Sequence, residues 1–119
     1  LADQICLYFT SDQILPGVIT SSQRVYVSVY DAQDEDGDMI AVSHDGAQLF
    51  SGVVRNAAQV LPVDLTSGFN HFEFRALNEG TGSPNTARVV VKDSTGKTLG
   101  STGYDLKTGQ TATMDIVRN

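Results

Sequence analysis

Strict alternation of apolar and polar side chains is the feature that most narrows the fold of this chain. In the segment Arg24–Tyr30 three valines occupy every second position, and two tyrosines and a serine occupy positions that alternate with them. The segment 70–76 repeats the pattern with two phenylalanines and an alanine. Because successive side chains of a strand point to opposite faces, a period of two predicts strands with one buried face.

The same reasoning extends along the whole chain. Alternation, or a short apolar run between turn signals, predicts strands over segments 4–9, 24–30, 39–44, 47–53, 60–65, 70–76, 86–93, 98–104 and 111–117. Pro16 and Gly17 interrupt the segment 14–19, which predicts an edge strand or a loop there. We therefore expect an all-β fold, a single antiparallel two-sheet β-sandwich of about eight strands.

The predicted domain covers residues 1–119, and its least regular part is the segment 1–22. We expect that segment to form an irregular first strand or crossover, or an arm used in assembly. Asp45-Gly46 and the segments 66–68 and 94–97 are short turn signals, whereas segments 31–38, 55–59, 78–85 and 105–110 are longer connections. If consecutive strands run up and down from Val25 onward, the short turns lie at one end of the domain and the longer connections at the other.

Composition excludes several classes of partner. The formal net charge is −6, the sequence pI is about 4.5, and only 8 residues are basic. Binding to nucleic acid depends on neutralising phosphates with Lys and Arg, so we expect no nucleic-acid partner. No run approaches the length of a membrane helix, and we expect no membrane insertion. Cys6 is the single cysteine, which rules out a disulfide within the chain.

An acidic loop follows the valine-rich strand. Five carboxylates lie within the eight residues 31–38, and Gly37 permits a sharp turn. A high density of oxygen ligands suits a hard cation, and Ca²⁺ is the one we expect, because neighbouring carboxylates otherwise repel one another. The spacing is not that of an EF-hand, since the first and last ligand positions are Ala32 and Ser43. The alternative is a solvated acidic turn in which Asp34 and Asp36 cap backbone N–H groups.

A second loop, 76–86, is rich in glycine and asparagine. Asn78 and Asn85 can bond to nearby backbone, which favours a structural role. Together with Glu79, they are also candidates to add oxygen ligands to the acidic loop. The predicted calcium ligands are Asp31, Asp34, Asp36, Asp38, Asn78 and Glu79.

Two further residue sets bear on function. Tyr26 and Tyr30 share one face of their strand and are candidates for a platform that stacks on sugar rings, or for covering the edge of the sandwich. The two histidines, His44 and His71, are expected to be ordinary surface or half-buried residues. Ser43, His44 and Asp45 are contiguous, so alternation keeps them from forming a catalytic triad by themselves.

Several segments together resemble a known class of module. They are Asp31, Asp36-Gly37-Asp38-Met39-Ile40, Gly68-Phe69-Asn70, Ala76-Leu77-Asn78-Glu79-Gly80 and Ser83-Pro84-Asn85-Thr86-Ala87. The likeness spans roughly residues 25–117 and is to β-sandwich modules, immunoglobulin-like or jelly-roll, of secreted or surface-exposed bacterial proteins. The resemblance implies an extracellular location and a non-catalytic role.

Three hypotheses of function remain open at this point. The first is an extracellular structural or adhesion module, a building block of a surface filament, an adhesin or a virion, stabilised by calcium and associating with itself or with a larger assembly. The second is a calcium-dependent carbohydrate-binding module that presents Tyr26 and Tyr30. The third is a small hydrolase that uses clustered carboxylates, which a chain of 119 residues offers little room to build.

Overall fold

A computed structural model describes residues 12–32, 35, 37–79 and 85–119 of the chain. These residues form ten β-strands and no helix, which confirms the all-β prediction. The strands are β1 Gln13–Ile14, β2 Val18–Thr20, β3 Arg24–Tyr30, β4 Met39–His44, β5 Ala47–Val53, β6 Gln59–Asp64, β7 Gly68–Ala76, β8 Asn85–Asp93, β9 Thr98–Leu106 and β10 Thr111–Arg118. The predicted strand 4–9 lies outside the described residues.

The strands form two sheets packed face to face, as predicted. Sheet A has the order β1-β10-β7-β4-β5, with β2 also paired to β10, and sheet B has the order β6-β3-β8-β9. Strands β3 to β10 correspond to the predicted strands, and the pairs that they form with one another are antiparallel. The segment 14–19 contributes the additional β1 and β2, which run parallel to β10 on either side of Leu15, Pro16 and Gly17. The total of ten strands therefore exceeds the predicted eight.

The core lies between the sheets and follows the alternation in the sequence. In β7, Phe72 and Phe74 are fully buried, and the register places them beside Met114 and Ala112 of β10. In sheet B, Val27 stands between its register partners on β6 and β8, and all three are buried. Burying one face of each strand is the main source of stability in such a fold.

Because the strands alternate in direction, the connections fall into two groups, one at each end of the sandwich. The turns 45–46, 65–67 and 94–97 lie at one end, which we call the turn end. The connections 31–38, 54–58, 77–84 and 107–110 join strand termini at the opposite end, which we call the loop end. Asp45 and Gly46 have φ angles of 49° and 85°, the left-handed values that a tight hairpin turn requires. The predicted division of short and long connections is confirmed.

Asn70 holds the turn end together from a buried position. Its Oδ1 accepts hydrogen bonds from the backbone N–H of Thr66 at 2.8 Å and from the Thr66 hydroxyl at 3.0 Å. Its Nδ2 donates to the carbonyls of Thr66, Gly68 and Ile116. Because the fully buried Asn70 amide has all of these partners, it holds the 65–67 turn, which connects the two sheets, against β10.

The alternation makes a direct prediction about two phenylalanines of β7. Phe74 is 0% exposed, whereas Phe69 is 75% exposed on the outer face. We expect Phe74→Ala to lower the free energy of unfolding by about 3–5 kcal/mol through loss of burial and creation of a cavity. Phe69→Ala is the matched control and should change it by no more than about 0.5 kcal/mol. Equal effects in urea unfolding would contradict the assignment of the two faces.

Candidate cation site at the loop end

Hydrogen bonds tie the loops of the loop end to one another. Asn56 donates from its side chain to the carbonyl of Asp31 at 2.7 Å, and its backbone N–H donates to Glu35 Oε2 at 2.7 Å. The backbone N–H of Thr108 donates to Glu79 Oε1 at 2.9 Å. The acidic loop is thus joined to the 54–58 connection, and the loop after β7 is joined to the 107–110 connection.

Two aspartates that border the acidic loop are buried. Asp31 is 3% exposed and Asp38 is 0% exposed, whereas Glu35 between them is exposed. Asp38 Oδ2 accepts the backbone N–H of Thr86 at 3.2 Å, and the Asp38 carbonyl accepts that of Val54 at 2.8 Å. Burying a carboxylate is costly unless hydrogen bonds or a cation compensate for the lost water. Asp38 is therefore the acidic residue of the loop end whose burial bears most directly on cation binding.

Asn78 lies beside the acidic loop, whereas the described hydrogen bond of Glu79 joins it to the 107–110 connection. Asn78 Oδ1 accepts the backbone N–H of Met39 at 2.7 Å, directly after Asp38 in the chain. With the Glu79 bond to Thr108, the side-chain oxygens of both residues take part in holding the loops. These bonds agree with the structural role predicted for this loop.

Asn85 brings a buried oxygen to the same place. The residue is 0% exposed, and its Nδ2 donates to the carbonyls of Met39 at 3.0 Å and Asn78 at 2.7 Å. Among the described residues its Oδ1 has no hydrogen-bond partner. A buried amide oxygen normally accepts a hydrogen bond, binds water or coordinates a cation.

Tyr104 is a second buried polar group of the loop end, and the sequence does not single it out. It is 3% exposed, packs 6.1 Å from the Phe74 ring, and its hydroxyl has no partner among the described residues. Burial, and then the negative charge of Asp38, raise the pKa of Tyr104 above its usual value. The hydroxyl therefore lies within the electrostatic influence of the Asp38 carboxylate.

These groups define the candidate cation site. Its described oxygens come from Asp38 and Asn85, which are brought together by the bonds of Asp38 to Thr86 and of Asn85 to Met39 and are chemically suited to Ca²⁺. Within the described ranges no three acidic, histidine or cysteine side chains are grouped closely enough to hold a metal ion. The predicted ligands Asp34 and Asp36 lie outside the described residues.

Tyr26 and Tyr30 lie on the outer face of sheet B, as the alternation predicts. Tyr26 stands opposite Pro62 and Lys92, and Tyr30 opposite Arg88, at the loop end of β3. Both tyrosines are half-buried by their neighbours on this face. Four strand positions separate them by about 13 Å, so they do not form one continuous stacking surface.

The histidines occupy two different structural settings. His44 stacks on Phe72 with ring centroids 4.7 Å apart, and its Nε2 lies 2.9 Å from Asn70 Oδ1. His71 lies on the outer face of sheet A, with Nδ1 2.8 Å from Asp115 Oδ1. His44 is half-buried and His71 is exposed, in agreement with the sequence-based expectation.

Comparison of the chain with models of protein families, with curated proteins and with solved structures found no match. In the described part of the chain, no helix has the length and apolar character needed to cross a membrane.

The hydroxyl of Tyr104 provides a test of the buried loop end. Removing a buried polar group that has no partner is expected to be neutral or stabilising, by about 1 kcal/mol. We expect Tyr104→Phe to unfold at the same urea concentration as the wild type or a higher one. A loss of more than about 1 kcal/mol would show that water or an ion binds the hydroxyl.

The raised pKa of Tyr104 also predicts a pH dependence. In the unfolded chain the hydroxyl titrates near its usual value of about 10, while the folded state holds its proton to higher pH. Above pH of about 10 the unfolded state binds fewer protons than the folded state, so stability falls as pH rises. We expect Tyr104→Phe to lose less stability than the wild type over that range. Identical pH profiles in urea unfolding would contradict the burial of an ionisable hydroxyl.

Proposed function

We propose that the chain is a non-catalytic structural or adhesion module of an extracellular assembly, with calcium bound at the loop end. In this proposal the module is a building block of a surface filament, an adhesin or a virion, and it associates with further copies of itself or with a larger structure. The proposal takes up the sequence-based expectation and its resemblance to modules of secreted or surface-exposed bacterial proteins.

The main support for the proposal is that polar side chains at the loop end form hydrogen bonds with neighbouring backbone. Asn56, Asn78 and Glu79 bond to the backbone of neighbouring loops and hold them against one another. Active sites instead direct polar groups into a cleft that admits a substrate. Side chains committed to loop-to-loop bonds favour a rigid module that bears load or presents a surface.

We include calcium in the proposal because Asp38 and Asn85 have buried oxygens. Asp38 is a fully buried acidic residue, and Asn85 Oδ1 has no partner among the described residues. A Ca²⁺ ion that binds such oxygens would compensate the buried charge and join the acidic loop to the start of β8. Calcium would then stabilise the folded state in proportion to its occupancy.

Thermal unfolding tests the calcium part of the proposal. We expect excess Ca²⁺, added after treatment with EDTA, to raise the midpoint by on the order of 10 °C, because ligand at a large excess over its Kd stabilises the folded state. Asp38→Asn should abolish this rise. Asp64→Asn, which removes the exposed partner of Arg24 at the turn end, is the matched control and should retain it. An unchanged midpoint in the wild type would leave the acidic loop as a solvated turn.

Light scattering over about a hundredfold range of protein concentration tests the assembly part of the proposal. An assembling module should show an average mass that rises with concentration, because association follows mass action. The calcium-saturated and calcium-free chain should be compared, since an ordered loop end lowers the cost of association. A strictly monomeric chain under both conditions would contradict self-association.

A calcium-dependent carbohydrate-binding module is the second candidate. It is favoured by the outer face of sheet B, where Tyr26, Pro62 and the exposed Val60 form an apolar surface next to a lysine. Aromatic and aliphatic groups of this kind pack against the apolar faces of sugars. Glycan-array binding that needs calcium and is lost in Tyr26→Ala would favour this candidate, and a blank array with calcium present would remove it.

A further inference from the structure

The N-terminal arm, residues 12–20, closes one side of the sandwich through short pairings with a single strand, β10. It pairs with β10 through two register positions in β1 and three in β2, whereas β7 pairs with the same strand through eight. Pro16 has no N–H to donate, and the regular pairing stops between Ile14 and Val18. The arm is also the only described part of sheet A that runs parallel to its neighbour, and parallel pairs are slightly less stable per residue.

The arm nevertheless contributes to the core. Leu15 and Val18 are 5% and 6% exposed, and Val18 fits against Gly100 of β9, where an added Cβ would lie 3.1 Å from its Cγ2. The arm therefore covers the opening between the edge of sheet A at β10 and the edge of sheet B at β9. Removing it would expose this apolar groove and the free edge of β10, both of which favour association with another strand.

The groove is not completely filled by the arm. A cavity of about 180 Å³ lies beneath it. Its lining includes Pro16, Val18, Val89, Leu99, Gly100 and Met114. Protein interiors normally leave few voids of this size, and atoms that line a void lose part of their packing contacts. This incomplete packing, together with the short pairing to one strand, makes the arm the described element best suited to leave its place.

The connection after the arm has the geometry of a short hinge. Residues 21–23 lead from β2 in sheet A to β3 in sheet B at the turn end. Within the hinge, Ser22 donates to the Arg24 carbonyl and contacts Ser94, while the Gln23 carbonyl accepts the N–H of Leu65. A connection of three residues must turn sharply between the sheets, and short hinges of this kind promote exchange of the attached element between copies.

Exposed apolar side chains lie beside this hinge. Ile19 and Phe69 are 70% and 75% exposed, and the register places both next to Val117 in one row across β2, β10 and β7. Two molecules that exchanged arms would meet at their turn ends, where this row becomes available to form a new contact. Neighbouring exposed apolar side chains are candidates for an interaction surface.

From these observations we propose that the arm is exchanged between copies, so that residues 12–20 of one molecule occupy the β10–β9 groove of a second copy of this chain. The exchanged arm makes the same pairs with β10 and buries the same Leu15 and Val18, so only the hinge changes conformation. Reciprocal exchange produces a closed dimer, and head-to-tail exchange produces a linear polymer. The inference rests on the proposed function, since it supplies the contact through which the module assembles.

A disulfide reporter tests the exchange in the full chain. Ile19 and Val117 are register partners whose side chains share the outer face, and neighbouring strands are about 4.8 Å apart, within the range that a disulfide spans. The variant is Ile19→Cys with Val117→Cys, in a Cys6→Ser background so that the reporter thiols are the only ones. The protein is concentrated, incubated below its unfolding midpoint, separated by size and then oxidised.

Exchange predicts that the oligomer fraction runs as covalently linked chains on a non-reducing denaturing gel, while the monomer fraction contains only a disulfide within one chain. The matched control joins two strands of the body, with Glu73→Cys and Thr113→Cys, which are register partners on the same face. Its disulfide should remain within one chain in every fraction. Lengthening the hinge with inserted Gly and Ser residues after Ser22 should cause a loss of the linked species.

The outcomes separate this inference from the proposed function. Oligomers whose reporter disulfide stays within one chain would overturn arm exchange and leave self-assembly standing through another surface. A chain that is monomeric at every concentration would overturn both. Linked species that persist unchanged when the hinge is lengthened would overturn the assignment of residues 21–23 as the hinge.

Discussion

Each sheet of this protein has one apolar face, and the structure depends on covering those two faces with each other. The valines of β3 and β8 and the phenylalanines of β7 are fully buried only because the sheets pack together. Strands that run up and down between the sheets then bring the long connections to one end. They also leave an opening between β10 and β9, which the arm covers. The candidate cation site and the exchangeable arm are both consequences of this one constraint.

The fold could largely be predicted because alternation is a local signal. A period of two identifies a strand and its buried face without knowledge of its partners, and Asp45-Gly46 identifies a hairpin from two residues. The parallel pairing of β1 and β2 with β10 could not be predicted. Pairing between segments about a hundred positions apart depends on which edge of the core remains open, and no local pattern encodes that.

The candidate site could be predicted in part, for a similar reason. A density of carboxylates and asparagines indicates which loops are of interest, and antiparallel strands place those loops at one end. Burial was not predictable, because Asp38 and Glu35 look alike in sequence but one is fully buried and the other exposed. Tyr104 reads as an ordinary inward residue of β9, and its position near Asp38 follows only from the packing of the two sheets.

The loop end illustrates how polar side chains can stabilise irregular backbone. Loops lack the regular ladders of strands, so their N–H groups need other acceptors. Here Glu79 supplies an acceptor to the N–H group of Thr108 in a connection, and Asp38 and Asn78 do the same for Thr86 and Met39 at the starts of β8 and β4. Each bond joins two segments that are distant in sequence, so loss of one loosens two loops. A cation held by Asp38 would reinforce the same connections.

Amide hydrogen exchange at these N–H groups, with and without Ca²⁺, would test the central claim most directly. The claim is that side-chain bonds and a bound cation make the loop end a rigid part of the module. It predicts that the amides of Met39, Thr86 and Thr108 exchange slowly and that Ca²⁺ slows them further, while strand amides at the turn end are unaffected. Fast exchange of all three amides, unchanged by Ca²⁺, would contradict it.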